Sequence, residues 1–154
     1  MTRRLLVLTA MVSFGALSTL ARPNFTGHWK LNVSKSDFGQ MPAPDSMTQT
    51  VTHADPNLTV AIKQSSEGGE IEVESKYTTD GKECVNQVGS AEVRSTLKYE
   101  GETLVIVSKG QFGDTAFTMT DKWTVSEDGK VLTIMRHFET GMWEDNQKLV
   151  LEKQ

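Results

Sequence analysis

The feature that most constrains this chain is an alternation of period two, repeated from about residue 45 to the C-terminus. Ile71, Val73, Ser75 and Tyr77 alternate with Glu70, Glu72, Glu74 and Lys76. Ala91, Val93, Ser95, Leu97 and Tyr99 alternate in the same way with Glu92, Arg94, Thr96 and Lys98. Thr115, Phe117, Met119, Asp121, Trp123 and Val125 share one face of a long segment, and Leu132, Ile134, Arg136 and Phe138 share another. Successive side chains of a strand point to opposite faces, so each run is a strand with one dry face and one wet face.

The breaks carry hairpin chemistry. Asp80-Gly81, Glu100-Gly101 and Asp128-Gly129 fall between runs, and Asp55-Pro56-Asn57 and Glu67-Gly68-Gly69 mark further turns. Strands are expected over 26–33, 46–53, 57–64, 70–78, 83–87, 90–99, 103–109, 111–125, 130–138 and 144–152. No stretch after residue 22 has helical periodicity, and Ser34–Ser46, with Gly39, Pro42 and Pro44, reads as a loop with room for one helical turn. Short connections make sequence neighbours pair antiparallel. A meander of this length hides its edges by closing on itself. The expected fold is therefore all-β, a single antiparallel up-and-down barrel of about eight to ten strands, with a two-sheet sandwich as the alternative.

The N-terminus has the pattern of an export signal. Arg3 and Arg4 precede the apolar run Leu5–Leu20, and Thr19-Leu20-Ala21 puts small residues where a signal peptidase needs them. The expected organisation is a signal peptide over 1–21 and one barrel domain over 22–154, in a periplasmic or extracellular protein. Without Arg3 and Arg4 the chain keeps 14 basic and 20 acidic residues, a formal charge of −6. That balance repels phosphate backbones and anionic lipid, which argues against nucleic-acid binding and against stable membrane insertion once the signal is gone. Cys84 is the single cysteine, so no intramolecular disulfide can form.

One segment carries a family resemblance. Phe25-Thr26-Gly27-His28-Trp29-Lys30-Leu31, with its Gly-x-Trp at Gly27 and Trp29, resembles the first strand of the calycins, the lipocalins and fatty-acid-binding proteins. In detail the resemblance covers residues 24–38; beyond them it is architectural. It implies a lipocalin-like barrel in which Trp29 plugs one end and an arginine from a late strand lies across it, a role Arg136 would fill. Two family features are missing. The Ser34–Ser46 segment is too short for the two-helix lid of fatty-acid-binding proteins, and Leu149-Val150-Leu151-Glu152 replaces their ligand-binding arginine–tyrosine pattern.

The interior of an eight-stranded barrel is just wide enough to be filled by side chains or to hold one small ligand. Tyr77, Tyr99, Phe117, Met119, Asp121 and Trp123 are the expected ligand-lining residues, and Gly27, Trp29 and Arg136 the structural signature. His28, His53 and His137 lie on three strands, but alternation turns His28 and His137 outward, so no metal site is expected. Neither a nucleophile elbow nor a phosphate loop is present, and no catalytic residue or cofactor is expected. Two functions fit: an exported protein that binds a small apolar molecule such as a lipid inside the barrel, or a filled-core barrel whose outer surface binds another protein as an inhibitor or envelope accessory.

Overall fold

The computed structural model describes residues 21–154; the signal expected over 1–21 lies outside them apart from Ala21. Ten strands form one antiparallel sheet: β1 Gly27–Leu31, β2 Ser46–Ala54, β3 Asn57–Ser66, β4 Gly69–Thr78, β5 Glu83–Val88, β6 Ala91–Glu100, β7 Thr103–Phe112, β8 Thr115–Val125, β9 Val131–Thr140 and β10 Glu144–Lys153. The spatial order is β4-β3-β2-β1-β10-β9-β8-β7-β6-β5. Each strand pairs with its chain neighbour except across β4 and β5, and β1 closes the meander by pairing with both β2 and β10. The barrel is nearly closed. Most expected ends agree to within a residue or two; the clearest difference is at 111–114, where Gln111 and Phe112 end β7 and Gly113 makes the turn.

The seam between β4 and β5 has no ladder of paired main chains. Side chains bridge it instead. The Lys76 amide donates to Asn86 Oδ1 at 2.8 Å, and Asn86 Nδ2 donates back to the Lys76 carbonyl at 3.0 Å. The Thr78 amide donates to Cys84 Sγ at 3.2 Å, which ties the lone thiol into the wall.

One end of the barrel is packed solid. Phe25, Trp29, Val51, Leu58, Leu97, Leu104, Trp123, Leu132, Ile134 and Leu151 belong to one buried cluster there. Trp29 is fully buried, and its indole N–H donates to the Phe25 carbonyl at 3.0 Å. Gly27 makes this possible: a Cβ on it would stand 2.7 Å from Lys153 Cε and 3.2 Å from Trp29 Nε1. The expected cover of Trp29 by Arg136 is not what the structure has. Lys153, the register partner of Trp29, holds its ammonium 5.3 Å from the indole centroid. Arg136 sits opposite Asp121 on β8 and Gln147 on β10. Strand register puts it further along the barrel, out of stacking position.

A polar network seals the packed end. Phe25 N donates to His53 Nδ1 at 3.3 Å, which leaves the imidazole proton on Nε2, 2.8 Å from Asp55 Oδ1. Thr79 Oγ1 donates to the same carboxylate oxygen at 2.8 Å. Burial works against the charge on Asp55, but hydrogen bonds from His53 and Thr79 outweigh it and lower its pKa.

Candidate functional site

At the other end the packing stops short and leaves a cavity of about 300 Å³. Leu31, Met47, Met119, Phe138 and Leu149 supply apolar wall. Trp143 stands at the rim, 5.6 Å from Phe138. Three polar side chains reach the same space: Arg136, Gln64 and Gln147.

The connection between β1 and β2 covers the opening. It contains one 3₁₀ turn, Val33–Lys35, and no α-helix. Its first half runs beside β10, because β1 is too short to cover that edge. Asp37 and Lys148 exchange backbone hydrogen bonds at 2.7 and 2.8 Å, and Ser36 Oγ accepts from the Val150 amide at 3.0 Å. Asp145 then anchors the corner by accepting from Gln40 N at 3.0 Å, and that bond is the largest cause of its lowered pKa. Gly39 is required here on two grounds. Its φ is +59°, and a Cβ would collide with Asp145 and the Asn146 carbonyl. From this anchored stretch Phe38, Met41, Pro42 and Pro44 reach over the cavity.

The expected lining residues divide. Met119 lines the cavity. Phe117 stands behind the wall, stacked between Phe112 and Phe138 at centroid distances of 4.7 and 5.5 Å. Gly110, its register partner on β7, leaves room for the ring. Asp121 is buried and touches the cavity through Arg136, which it binds with both oxygens at 2.8 Å. Burial opposes the charge on Arg136, and Asp121 more than restores it. Tyr77 lies deeper on the inner face. Burial raises its phenol above the ordinary value; a hydrogen bond with Ser75 works against that shift, and the nearby Asp121 charge adds to it. Tyr99 and Trp123 belong to the packed end, Tyr99 beside His53 and Trp123 edge-on to Phe25 at 5.8 Å. Phe38, Phe138, Trp143, Gln64 and Gln147 line the cavity without having been singled out as ligand-lining residues.

The three histidines do not meet. His53 is buried in the Asp55 network, His28 is exposed beside Thr50, and His137 pairs with Asn146 on the outer face. Among the described residues no three His, Cys, Asp or Glu side chains converge as metal ligands.

Solved structures share this architecture. The zebrafish ileal bile acid-binding protein complexed with cholic acid has a TM-score of 0.59 at 16% identity, over 84% of this chain and 98% of its own. The fatty-acid-binding protein of Manduca sexta has a TM-score of 0.53 at 18% identity, over 84% and 99%. The fold is a calycin-like barrel. A secretory abundant heat soluble protein from Ramazzottius varieornatus, at 11% identity and a TM-score of 0.60 over 89% and 100%, extends the likeness. No family model and no curated protein matches the sequence. In this calycin-like barrel the interior is therefore divided, with one half filled by large side chains and the other open beneath an irregular strap.

Proposed function

We propose that the protein is an exported carrier that holds one small apolar molecule in the open half of its barrel. The observation that carries this reading is the cavity itself. Its roughly 300 Å³ is the lower end of the range for small-molecule pockets. Its walls are apolar with a few convergent polar groups, the usual make-up of such sites. The zebrafish neighbour was solved with cholic acid and the Manduca neighbour is a fatty-acid-binding protein, and both support a binding role.

Magnitudes set the affinity. Burying about 200 Å² of apolar ligand surface is worth roughly 5 kcal/mol at about 25 cal/mol per Å². Ordering the ligand takes back part of this, so dissociation constants in the micromolar-to-millimolar range are expected. The export half of the proposal rests on Arg3, Arg4, the apolar run and Thr19-Leu20-Ala21. A periplasmic or extracellular carrier of this kind needs no catalytic group. The filled-core reading, with a protein partner on the outer surface, is less well supported because half of the interior is open.

The test is titration of delipidated protein with Nile red, a neutral fluorescent apolar probe, in wild type and Met119→Trp. Saturable binding that the bulkier side chain weakens about tenfold supports the proposal, since a filled cavity loses most of its contact area. No saturable binding below millimolar probe, or equal binding by both proteins, overturns it. N-terminal sequencing of protein recovered from the expressing cell tests export, with a start near Arg22 expected.

A further inference from the structure

Among the described residues Arg136 is the only ionisable side chain that lines the cavity. It does not present a free positive charge. Its Nε and Nη2 donate to the two oxygens of Asp121, each at 2.8 Å, and Asp121 is buried behind it. The pair is neutral as a unit. A bidentate fork of this kind uses two of the five guanidinium N–H groups. Among the described residues no acceptor is seated on Nη1.

The other two polar groups are also half-used. Gln147, directly opposite Arg136 in the sheet, donates its Nε2 to Asp145 Oδ2 at 3.0 Å. Gln64 donates its Nε2 to Ser66 Oγ at 3.2 Å. The Asp145 carboxylate can only accept, so it orients the Gln147 amide with Oε1 turned away from it. Among the described residues neither Oε1 receives a hydrogen bond. The cavity thus offers donor capacity on Arg136 and acceptor capacity on Gln64 and Gln147, with no net charge.

From this arrangement we infer that the ligand is a neutral amphiphile, an apolar body ending in a hydroxyl, and that the matching carboxylate is disfavoured. The inference rests on the cavity being the ligand site. A hydroxyl both accepts and donates, so it can take a guanidinium N–H and give its proton to a glutamine oxygen. A carboxylate can only accept. Its oxygens would face the lone pairs of Gln64 and Gln147, and its charge would meet that of Asp121 with only one guanidinium between them. Two carboxylates sharing one cation in a desolvated site raise each other's pKa rather than both ionising.

Dodecan-1-ol and dodecanoate share one chain and differ at the head. Each is used to displace Nile red from the wild-type protein near neutral pH. The expected result is at least about tenfold tighter binding of the alcohol, the scale of one well-made buried hydrogen bond against one left unmade. Asp121→Asn keeps the shape but removes the opposing charge, and should swing the preference toward dodecanoate by a similar factor. Gln147→Met leaves the Arg136–Asp121 pair in place and removes an acceptor. It should weaken dodecan-1-ol severalfold without strengthening dodecanoate, and it decides the matter should Asp121→Asn fail to fold. Tighter dodecanoate in the wild type overturns the inference and leaves the carrier reading standing. So does an alcohol preference that neither variant changes. If Nile red itself does not bind, the carrier reading falls.

Discussion

Arg136 and Asp121 stand directly opposite each other on β9 and β8, joined by two parallel hydrogen bonds of 2.8 Å. Removing one partner of such a pair leaves a buried charge unmatched, whereas replacing both with apolar groups is far milder. Arg136→Ala should therefore destabilise the protein by about 3 kcal/mol. The double variant Arg136→Met with Asp121→Leu should lie within about 1 kcal/mol of wild type. Denaturant melts followed by tryptophan fluorescence measure both. Equal losses in the single and double variants would mean that the pair's stem packing, and not its charge balance, is what matters.

The chain has two tyrosines, and the barrel raises both phenols. Tyr99 is pushed up to about 12, first by burial and then by the charge and hydrogen bond of Asp55. A phenol whose folded pKa exceeds its unfolded value stabilises the fold fully below the unfolded pKa and loses that contribution as pH rises through the folded one. The Tyr99 share of the tyrosinate absorbance near 295 nm should therefore appear only towards 12, and the Tyr77 share above the ordinary phenol value of 10.0. In urea the same titration should be centred near the ordinary value. A native midpoint at 10.0 would place both hydroxyls in solvent.

Gly110 has a fully steric role. A Cβ there would sit 2.8 Å from Phe117 Cζ, 2.9 Å from Cε1 and 3.1 Å from the Glu92 carbonyl. Gly110→Ala should cost roughly 1–3 kcal/mol as an overpacked site. It should also weaken Nile red binding, because Phe117 can yield only by pressing on Phe138 in the cavity wall. Gly68 has open space around it, and Gly68→Ala should change stability by less than about 0.5 kcal/mol. Phe117→Leu in the Gly110→Ala background should recover most of the loss. If it does not, the contact with Glu92 is what is strained.

Period two made the strands legible, and the X-Gly turns made their ends legible. β6 shows why: each residue from Ala91 to Lys98 lies on the face that alternation assigns to it. The pairing of Arg136 with Asp121 was also within reach. Counting seven residues back from Asp128 and seven forward from Gly129 brings the two together, because the hairpin turn is centred between them. The cover of Trp29 was not, since Lys153 comes from the far end of the chain and β1 meets β10 only when the barrel closes. The division of the interior was hidden for a related reason. Met119 and Trp123 are two turns of the same alternation on one strand, yet one faces space and the other is packed tight. Alternation gives the face of a residue. How much room lies in front of it depends on side chains from strands far away in sequence.

Asn86 does more than join two strands. Its side-chain amide presents to Lys76 the same oxygen and N–H that a neighbouring backbone would, and both main-chain groups of Lys76 are occupied by it. Cys84 occupies the amide of Thr78 in the same way. An open strand edge is a template on which a second chain can pair, the first step to edge-to-edge aggregation. Here the β4 edge is already taken at those positions by groups too short to propagate a sheet. At those positions the last gap in the wall is thus closed to strand addition without the barrel having to complete its ring.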